Sequence, residues 1–412
     1  MNIVFLAPFA FSPKATVSAR MLPIATALVR RGHRVTILIP PYDNPADSGQ
    51  VWEHAGVRLE NVSSVAHGST RGAGYVALAK ALASRAHAIK PDALHVFKPI
   101  GVGALAFWLL RRSELAKQPT ALDNDDWEGH GGWLDVNPYP LAHKLVMAWQ
   151  ERWCLQHAPI VTCASHVLVD RTRLYRAAAR RAVDDKTILL SPNGPDEALR
   201  AQVTAAQARR DSLRAQFGWQ QPIAIYAGTV PLNHDLDMMV RALTTTHLSG
   251  LVGPVTQRLP KVRWVIIATG SGVESLKRAI SQAGIGESVE WHGFMPHTQL
   301  VERLVAADLA VYPYRDTNIN RAKCSGKVMD YMACGLPMVV SDVGMNRDYL
   351  EHERSGLLTP PGDAAAFAQG LQRLLADQAF ATRLGRAAQQ RIWDVFGWDQ
   401  RMARFEAIYH RP

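Results

Sequence analysis

Cysteine is scarce in this sequence and is not arranged for cross-linking. The four cysteines are Cys154, Cys163, Cys324 and Cys334, and none forms a CxxC pair or lies in a histidine-rich segment. This spacing provides neither a disulfide framework nor a zinc site, and it suits the reducing environment of the cytosol. We therefore expect a cytoplasmic protein with no metal site.

Long hydrophobic runs are missing as well. The longest, Pro99 to Leu110, has about 12 residues before Arg111 and Arg112, whereas a helix needs about 20 to cross a bilayer. The N-terminal MNIVFLAP lacks the basic start and the longer apolar stretch of a signal peptide. We predict a buried strand at the N-terminus and no membrane span.

Acidic residues are fewer than basic ones, 36 against 46, so the net charge is +10. This excess of positive charge implies an anionic partner, such as a nucleotide diphosphate, a phospholipid surface or a nucleic acid. Nucleic acid is disfavoured because no aromatic residues are interleaved with the basic ones. One dense basic run consists of Arg171, Arg173, Arg176, Arg180 and Arg181. It predicts an exposed, solvated helix face. The alternative is a face that contacts the inner side of a membrane or an acceptor.

The chain is too long for one ordinary hydrophobic core, which favours two domains. Short apolar strands alternate with amphipathic helices, such as Ala19 to Arg31 and Tyr75 to Lys90, and this βαβ pattern predicts a mainly parallel sheet covered by helices. The first domain is predicted to span residues 1–185. The predicted strands of this first pattern are 2–7, 34–39, 93–97, 120–123 and 160–163, followed just past the boundary by 187–190.

A second α/β pattern begins after the turn-rich junction Ser191 to Pro195. Its predicted strands are 223–227, 263–268, 288–291, 308–312 and 338–340, which places the second domain at residues 186–396. The ligands of such sheets bind outside the carboxyl ends of the strands, so we expect the two domains to face each other across a cleft. The last helix, in residues 397–412, either caps the second domain or packs on the first.

The segment from Asn320 to Val340 has the strongest chemical pattern. A loop with Arg321, Lys323, Ser325, Gly326 and Lys327 leads into a helix, whose free N–H groups and positive dipole end favour an anion. Gly326 permits close approach of the backbone. Asp330, one turn into the helix, is an acceptor suited to ribose hydroxyls. The pattern predicts a cradle for a nucleotide diphosphate.

This segment resembles the donor-binding region of the GT-B glycosyltransferases of family 4, which carry a Glu-x7-Glu motif. DYMACGLPMVV matches its second half, with Asp330 in place of the second Glu, which holds ribose in the family. Ala322 stands where the first Glu would be. Some members have a Ser-x-Lys loop instead, which Ser325-Gly326-Lys327 resembles. The resemblance implies two Rossmann-like domains with mainly parallel sheets.

Further segments extend the resemblance over most of the chain. Ser191-Pro192-Asn193-Gly194 resembles the turn at the family's domain junction. Residues 226–237 resemble its diphosphate loop, with Gly228 and Asn233 in it, but Thr229 and His234 replace the usual Arg and Lys. Gly270 and Gly272, and Phe294 near the nucleotide base, match two other signals, although GSGVES alone is a weak motif. We infer that Lys327, with Arg321 or Lys323, supplies the missing positive charge.

Residues 8–18 join the first strand to the first helix, where the family has a glycine-rich loop facing donor and acceptor. Here the glycines are missing, and Lys14, Ala15 and Thr16 are the candidate contacts on the acceptor side. A plain connector is the alternative.

The segment DNDDWEGHGGW, residues 123–133, holds four carboxylates behind a strand. Such a density of acids is costly unless something uses it. The family often has His-Asp here, with the His contacting the donor sugar; the resemblance puts Asp125 and Asp126 at these positions. The alternatives are a solvent-exposed acidic loop and a magnesium site.

These patterns predict a glycosyltransferase that uses a nucleotide-diphosphate sugar, with no cofactor and with retention of anomeric configuration, as in the resembled family. Asp125, Asp126 and Lys327 are the candidate catalytic residues, and the acceptor is an unidentified glycan, lipid or small molecule. A non-catalytic sugar-nucleotide-binding protein and a sugar-nucleotide epimerase of the same architecture remain open, because fold alone does not determine function.

Overall fold

The computed structural model describes residues 1–63, 73–230 and 262–410, together with four single residues between 238 and 244. The chain forms two compact units. The first comprises Met1–Asn193, Arg321–Cys324 and Trp398–Pro412, and the second Gly194–Asn320 and Ser325–Gly397. The first unit therefore continues past residue 185, the predicted boundary, and it includes the C-terminal segment.

The first unit is built on an eight-stranded sheet in the order β3-β4-β2-β1-β5-β6-β7-β8, parallel except for the edge strand β3. The chain passes from β1 to one side of the sheet and later adds β5 on the other side, which makes the β1/β5 boundary the topological switch point. The strands are β1 (Asn2–Leu6), β2 (Arg34–Ile39), β3 (Val51–His54), β4 (Val57–Asn61), β5 (Ala93–Phe97), β6 (Thr120–Asn124), β7 (Ile160–Cys163) and β8 (Ile188–Leu190).

Helices connect these strands and cover the sheet. They are α1 (Leu22–Arg30), extended at its start by the π-helical turn Val17–Met21, α2 (Ala73–Ile89), α3 (Gly101–Leu110), α4 (Trp133–Val136), α5 (Leu141–His157) and α6 (His166–Ala178). The apolar run after Pro99 forms α3, which is mostly buried. Among the described residues, no helix has both the length and the apolar character needed to cross a membrane.

The C-terminal segment completes the core of the first unit. Its helix Trp398–Glu406 continues into the 3₁₀ turn Ala407–His410. Trp398, Met402 and Phe405 are buried in one cluster with residues of β1, β2 and α1. The Tyr409 hydroxyl lies 2.8 Å from His95 Nδ1 of β5, and burial lowers the pKa of His95 to about 4. Of the two placements considered for this helix, the structure thus has the one on the first unit.

The second unit has a six-stranded parallel sheet in the order β11-β10-β9-β12-β13-β14. Numbered within the unit, this is 3-2-1-4-5-6, the order of dinucleotide-binding folds, and its switch point lies between β9 and β12. The strands are β9 (Ile223–Thr229), β10 (Arg263–Thr269), β11 (Val289–His292), β12 (Leu309–Tyr312), β13 (Met338–Ser341) and β14 (Leu357–Thr359).

The described helices of this unit continue the numbering of the first. They are α7 (Glu197–Gln207), α8 (Arg210–Phe217), α9 (Val273–Gln282), α10 (His297–Ala306), α11 (Asn318–Ala322), α12 (Gly326–Ala333), α13 (Asn346–Tyr349), α14 (Ala364–Ala376) and α15 (Gln378–Phe396). Helix α11 ends in the segment assigned to the first unit, and the C-terminal helix of the first unit is α16 (Trp398–Glu406).

The tyrosine Tyr331 fixes α12 to the sheet of the second unit. Its hydroxyl accepts a hydrogen bond from the Ala227 amide at 2.8 Å and donates one to the Ala227 carbonyl at 3.2 Å. Its ring is buried next to Tyr312. The start of α12 is therefore held at a defined place relative to β9.

The predicted solvated arginine face on α6 is wrong for two of its members. Arg176 is buried and donates hydrogen bonds to the carbonyls of Leu155 and Ala158 at the end of α5. Arg171 pairs with the buried carboxylate of Glu151 at 2.6 Å. Arg180 and Arg181 are exposed but lie beyond the end of α6, so within the helix Arg171 and Arg176 fasten α6 to α5.

Candidate functional site

The first unit contains a cavity of about 550 Å³ at its topological switch point, a volume in the range of small-molecule sites. It is lined by residues that follow β1, β5 and β6, that is, by the carboxyl ends of three neighbouring strands. Lys14, Ala15 and Thr16 line it, as do Phe9 and Trp133. The loop after β1 is thus a wall of the cavity, as the acceptor-side prediction requires.

A buried lysine at the end of β5 gathers the carboxylates of the acidic segment. Lys98 Nζ lies 2.9 Å from Asp125 Oδ1, 2.7 Å from Asp126 Oδ2 and 2.8 Å from Glu128 Oε1. Lys98, Asp126 and Glu128 all face the cavity. The density of acids therefore has an internal counter-ion.

The ionisation of this group is set by burial and by mutual charge. Burial opposes the charge of Lys98, but the three carboxylates raise its pKa well above the usual range. Burial raises the pKa of Glu128 to about 7, with Lys98 opposing the rise, and it also raises the pKa of Asp125. Glu128 can therefore exchange a proton near neutral pH at the cavity wall.

Asp123, the first carboxylate of the segment, has a structural role away from the cavity. Both of its oxygens accept hydrogen bonds from buried Arg20, at 2.6 and 2.7 Å, and Thr162 donates another at 2.7 Å. Burial alone would raise its pKa, but Arg20 lowers it. Arg20 also donates to Asn193 Oδ1 and to the Ser191 carbonyl, so this pair ties the junction segment to β6.

The rest of the acidic segment is ordered by α5 and α6. Glu151 of α5 accepts a hydrogen bond from the Gly129 amide at 2.9 Å while pairing with Arg171. The Arg171 guanidinium lies 4.4 Å from the Trp127 ring centroid. An exposed acidic loop is therefore excluded for Asp123 and Glu128, which are buried, whereas Asp126 keeps a third of its side chain in contact with solvent.

The magnesium hypothesis finds little support in the contacts of Asp125 and Asp126. The Lys98 ammonium already lies 2.9 Å from Asp125 Oδ1 and 2.7 Å from Asp126 Oδ2, where it competes with a metal ion for these oxygens. Among the residues that the structure describes, no group of three histidine, cysteine or acidic side chains is arranged to hold a metal ion.

In the second unit, the predicted anion cradle lies at the start of α12. Ser325 caps this helix, since its hydroxyl accepts a hydrogen bond from the Val328 amide at 3.3 Å. At Gly326, the first helical residue, an added Cβ would meet nothing within 4 Å. The backbone is therefore open at the positive end of the helix dipole. That an anion binds there stays a prediction.

Asp330 is buried inside α12, and its carboxylate is held by the side chains of Lys327 and His297. Lys327 Nζ lies 2.8 Å from Oδ2, and His297 Nε2 of α10 lies 3.1 Å from Oδ1. Burial would raise the pKa of Asp330, but Lys327 and His297 lower it far below its usual range. In turn, Asp330 raises the pKa of His297 against the effect of burial. Any ribose that binds here meets an ionised carboxylate that is already hydrogen-bonded.

The other predicted donor contacts are spread over the ends of β9, β10 and β11. Gly228 and Thr229 end β9, and Thr229 is exposed. Gly270 follows β10 with φ of +111°, and a Cβ there would lie 2.6 Å from the Val230 carbonyl oxygen, so only glycine fits. Gly272 precedes α9, and Phe294 is 88% exposed. Asn233 and His234 lie outside the described residues.

Arg321 and Lys323 do not share a compact unit with Lys327. Residues 321–324 belong to the first unit, where Lys323 Nζ lies 5.3 Å from the Trp133 ring centroid. Neighbouring Cys324 accepts a hydrogen bond from the Asn193 side chain at 2.7 Å through its carbonyl. The loop before α12 therefore divides its predicted cations between the two units.

Sequence reasoning missed Lys98, Glu128 and His297 as site residues. Lys98 directly follows a predicted strand next to the acidic segment in the sheet, and this position was the available signal. His297 begins α10 just after the WHGF segment, but its pairing with Asp330 is a contact across 33 residues that no local pattern reveals.

Comparison with known proteins agrees with this architecture in both units. The family model described as "Glycosyl transferase 4-like domain" matches residues 16–194, and that described as "Glycosyl transferases group 1" matches residues 209–391. A D-inositol 3-phosphate glycosyltransferase from Xylanimonas cellulosilytica is 28% identical over 315 residues, which cover 68% of this chain and 69% of that protein.

Solved structures of similar fold cover nearly the whole chain. Sucrose-phosphate synthase from Thermosynechococcus elongatus matches with a TM-score of 0.73 at 19% identity, covering 100% of this chain and 98% of that one. HepE from Anabaena, in complex with UDP and glucose, matches with a TM-score of 0.68 at 17% identity, covering 99% of both chains. The solved structures show that the chain has the GT-B fold. The two family models, which together match most of the chain, show that it belongs to the group 1 glycosyltransferases of family 4.

Proposed function

We propose that this glycosyltransferase takes its sugar from a nucleoside-diphosphate sugar bound by the second unit, and that the acceptor binds in the cavity of the first. The observation that carries the donor proposal is the start of α12, where an open backbone at Gly326 lies beside the Lys327–Asp330–His297 group. A helix N-terminus next to a cation suits a diphosphate. HepE, which shares the fold, was crystallised with UDP and glucose, and this supports a donor of the same kind.

In the proposed reaction the second unit stabilises the departing nucleoside diphosphate. Negative charge grows on the leaving oxygen as the bond to the sugar breaks. The dipole of α12 and the Lys327 ammonium stabilise this charge. Lys327 is one-third exposed, so its ammonium can turn from Asp330 towards a phosphate. His297 Nε2 keeps its contact with Asp330 Oδ1. Retention of configuration requires the acceptor hydroxyl to attack from the face that the diphosphate leaves, and no protein nucleophile is needed.

The cavity of the first unit suits an uncharged acceptor rich in hydroxyl groups. Its wall combines carboxylate acceptors, Asp126 and Glu128, with aromatic rings that include Tyr75, Trp133 and Tyr139. Carboxylates accept hydrogen bonds from hydroxyls, and aromatic faces pack against the C–H side of a sugar ring. Three carboxylates around one ammonium make a phosphorylated acceptor less favourable.

A transfer assay tests the proposal in two stages. A thermal-shift screen of nucleoside-diphosphate sugars comes first, because a donor at 100 times its dissociation constant adds about 2.7 kcal/mol to stability. The selected donor is then incubated with neutral glycosides and with inositol phosphate, and the anomeric configuration of the product is read by NMR. We expect transfer to a neutral acceptor with retention.

The remaining outcomes separate the alternatives. Inversion would refute the proposed geometry, and preference for inositol phosphate would refute the neutral acceptor. Interconversion of donor sugars without any acceptor would establish an epimerase instead. Donor binding with neither transfer nor hydrolysis would establish a non-catalytic binding protein.

A further inference from the structure

One side of helix α5 is apolar and open to solvent. Leu141 is 74% exposed, Leu145 61% and Trp149 43%, and spacings of four residues place them on one side of the helix. Ala142 and Val146 are also exposed and widen this side to an arc of about 140°. These five residues are called here the apolar face of α5.

The opposite side of the same helix is firmly packed. Met147 and Cys154 are buried, and the Gln150 side chain accepts a hydrogen bond from the Gly101 amide and donates one to the Gly101 carbonyl. The apolar face is therefore exposed on a helix whose other side is packed firmly against the first unit. Several large apolar side chains exposed side by side on a packed helix indicate a surface that meets an apolar partner.

Positive charge borders this face. Arg152 is exposed one turn beyond Trp149, and Lys144 lies at the edge of the face. The Trp149 ring lies 6.3 Å from that of Trp108, above which the Arg112 guanidinium sits at 3.8 Å. Three cations thus accompany two tryptophans and a run of aliphatic side chains.

Helix α5, all of whose residues are described, carries no exposed negative charge. The one carboxylate of α5, Glu151, is buried and paired with Arg171. Asp135, on the short helix before α5, is half exposed, and its carboxylate accepts a hydrogen bond from the Gly131 amide at 2.7 Å. The surface therefore complements an anionic partner as well as an apolar one.

We propose that the apolar face of α5 docks in the plane of an anionic phospholipid surface. Leucine and tryptophan would enter the boundary between headgroups and acyl chains, while Arg152, Lys144 and Arg112 contact lipid phosphates. Tryptophan suits this boundary because its ring is apolar and its N–H is polar. His143 and Met147 of the same helix line the cavity, so this docking brings the proposed acceptor site to the lipid surface.

The test is co-sedimentation of the full chain with vesicles of phosphatidylcholine alone or with roughly one third phosphatidylglycerol. We expect binding to the mixed vesicles that weakens with added salt, and little binding to phosphatidylcholine alone. The double variant Leu145→Ser and Trp149→Ser should lose at least about tenfold in partitioning. Leu174→Ser is the matched control, since Leu174 is 72% exposed on α6 of the same unit, and it should bind like the wild type.

Three results would overturn the proposal. The wild type could stay in the supernatant with both vesicles, or Leu174→Ser could lose as much binding as the double variant. A concentration-dependent dimer that the double variant abolishes, without vesicle binding by the wild type, would show that a second copy covers this face. Circular dichroism verifies folding of each variant, and transfer to a soluble acceptor reports on the active site separately, because neither Leu145 nor Trp149 lines the cavity.

Discussion

Lys98 is a charged side chain in an unusual place, since only 6% of it is exposed and three carboxylates surround it. Its position at the end of β5 follows from its backbone, whose amide donates to the Asp123 carbonyl of β6 at 2.8 Å. Such a group is stable only as a whole, because removing one partner leaves buried charge without compensation. The residue that organises the acidic wall is thus the cation, although the acids dominate the sequence.

Replacing Lys98 with methionine should destabilise the first unit by about 3–5 kcal/mol at pH 7.5. The loss should shrink towards pH 5, because a carboxyl whose pKa is raised in the folded state contributes stability at low pH and loses it as pH rises through that pKa. Glu128, with a pKa of about 7, already titrates in this window. Urea unfolding at both pH values measures the difference.

Lys80→Met, a change at an exposed lysine of α2, is the matched control and should have little effect. An equal loss at both pH values would mean that the effect of Lys98→Met comes from packing and not from charge.

Lys327→Ala should weaken binding of the nucleoside diphosphate much more than binding of the free nucleoside. A hydrogen bond to a charged group contributes about 1.5–3 kcal/mol, which is roughly a tenfold to hundredfold loss in affinity. Calorimetric titration with both ligands gives the two changes. Arg383→Ala, at an exposed cation on α15, is the control. Equal losses for the two ligands would assign Lys327 to the support of Asp330 alone.

At the scale of the element, the strands were the part that sequence predicted best. Every predicted strand is present with its ends within two residues, because most of them are short buried runs between turn signals. Strand β3 was missed since VWEH is mostly exposed and lies at the sheet edge, where pairing with β4 and not burial defines it. Strand β4 was also missed, because three of the five residues in VRLEN are polar, although Glu60 and Asn61 are buried. Strand β14, with three residues, was not predicted either.

The contacts of the site residues were harder to predict than the strands, because they join segments that lie far apart in the sequence. The loops after β1, β6 and before α12 were identified from their composition and do lie at strand or helix ends. Their partners Lys98, Arg20 and His297 come from distant segments, and only the sheet order brings them near. The prediction of a solvated arginine face on α6 was wrong for a similar reason. The carbonyls that accept hydrogen bonds from Arg176 lie at the end of α5 and cannot be recognised from the sequence of α6.

Gly326→Ala separates helix stability from ligand binding in α12. The site has no positive φ and no atom within 4 Å of an added Cβ, so stability should stay or rise by up to about 1 kcal/mol. If the backbone here meets the donor phosphates, the new methyl group should lower affinity for the diphosphate at least about tenfold. Thermal unfolding and calorimetric titration measure the two effects.

Gly335→Ala is the contrasting variant, because φ of +73° makes alanine costly there. It should lower stability. Unchanged donor affinity in a stable Gly326→Ala protein would remove the start of α12 from the donor site.

At the scale of the whole molecule, the first unit depends on residues that come last in the sequence. Trp398 and Phe405 are each at most 5% exposed within its core. Cutting a large buried aromatic side chain back to alanine costs about 3–5 kcal/mol. Deleting residues 398–412 should therefore unfold the first unit, which circular dichroism and limited proteolysis would show as loss of protection in residues 1–193.

The second unit provides the internal control for this deletion, since residues 194–320 and 325–397 remain in the shortened chain. It should stay resistant to protease. Protection of both units in the shortened chain would mean that the first unit folds without the C-terminal segment.

The same C-terminal segment also imposes an order on biosynthesis. While the ribosome is translating the second unit, residues 1–193 have already emerged, but the side chains that fill the space beside β1 and His95 have not been made. Nascent first units therefore wait with apolar surface uncovered, while the second unit can close as soon as Gly397 clears the exit tunnel. Slow translation would lengthen that exposure, so chaperone demand in the cell should fall on the first unit and end only once residues 398–410 have emerged.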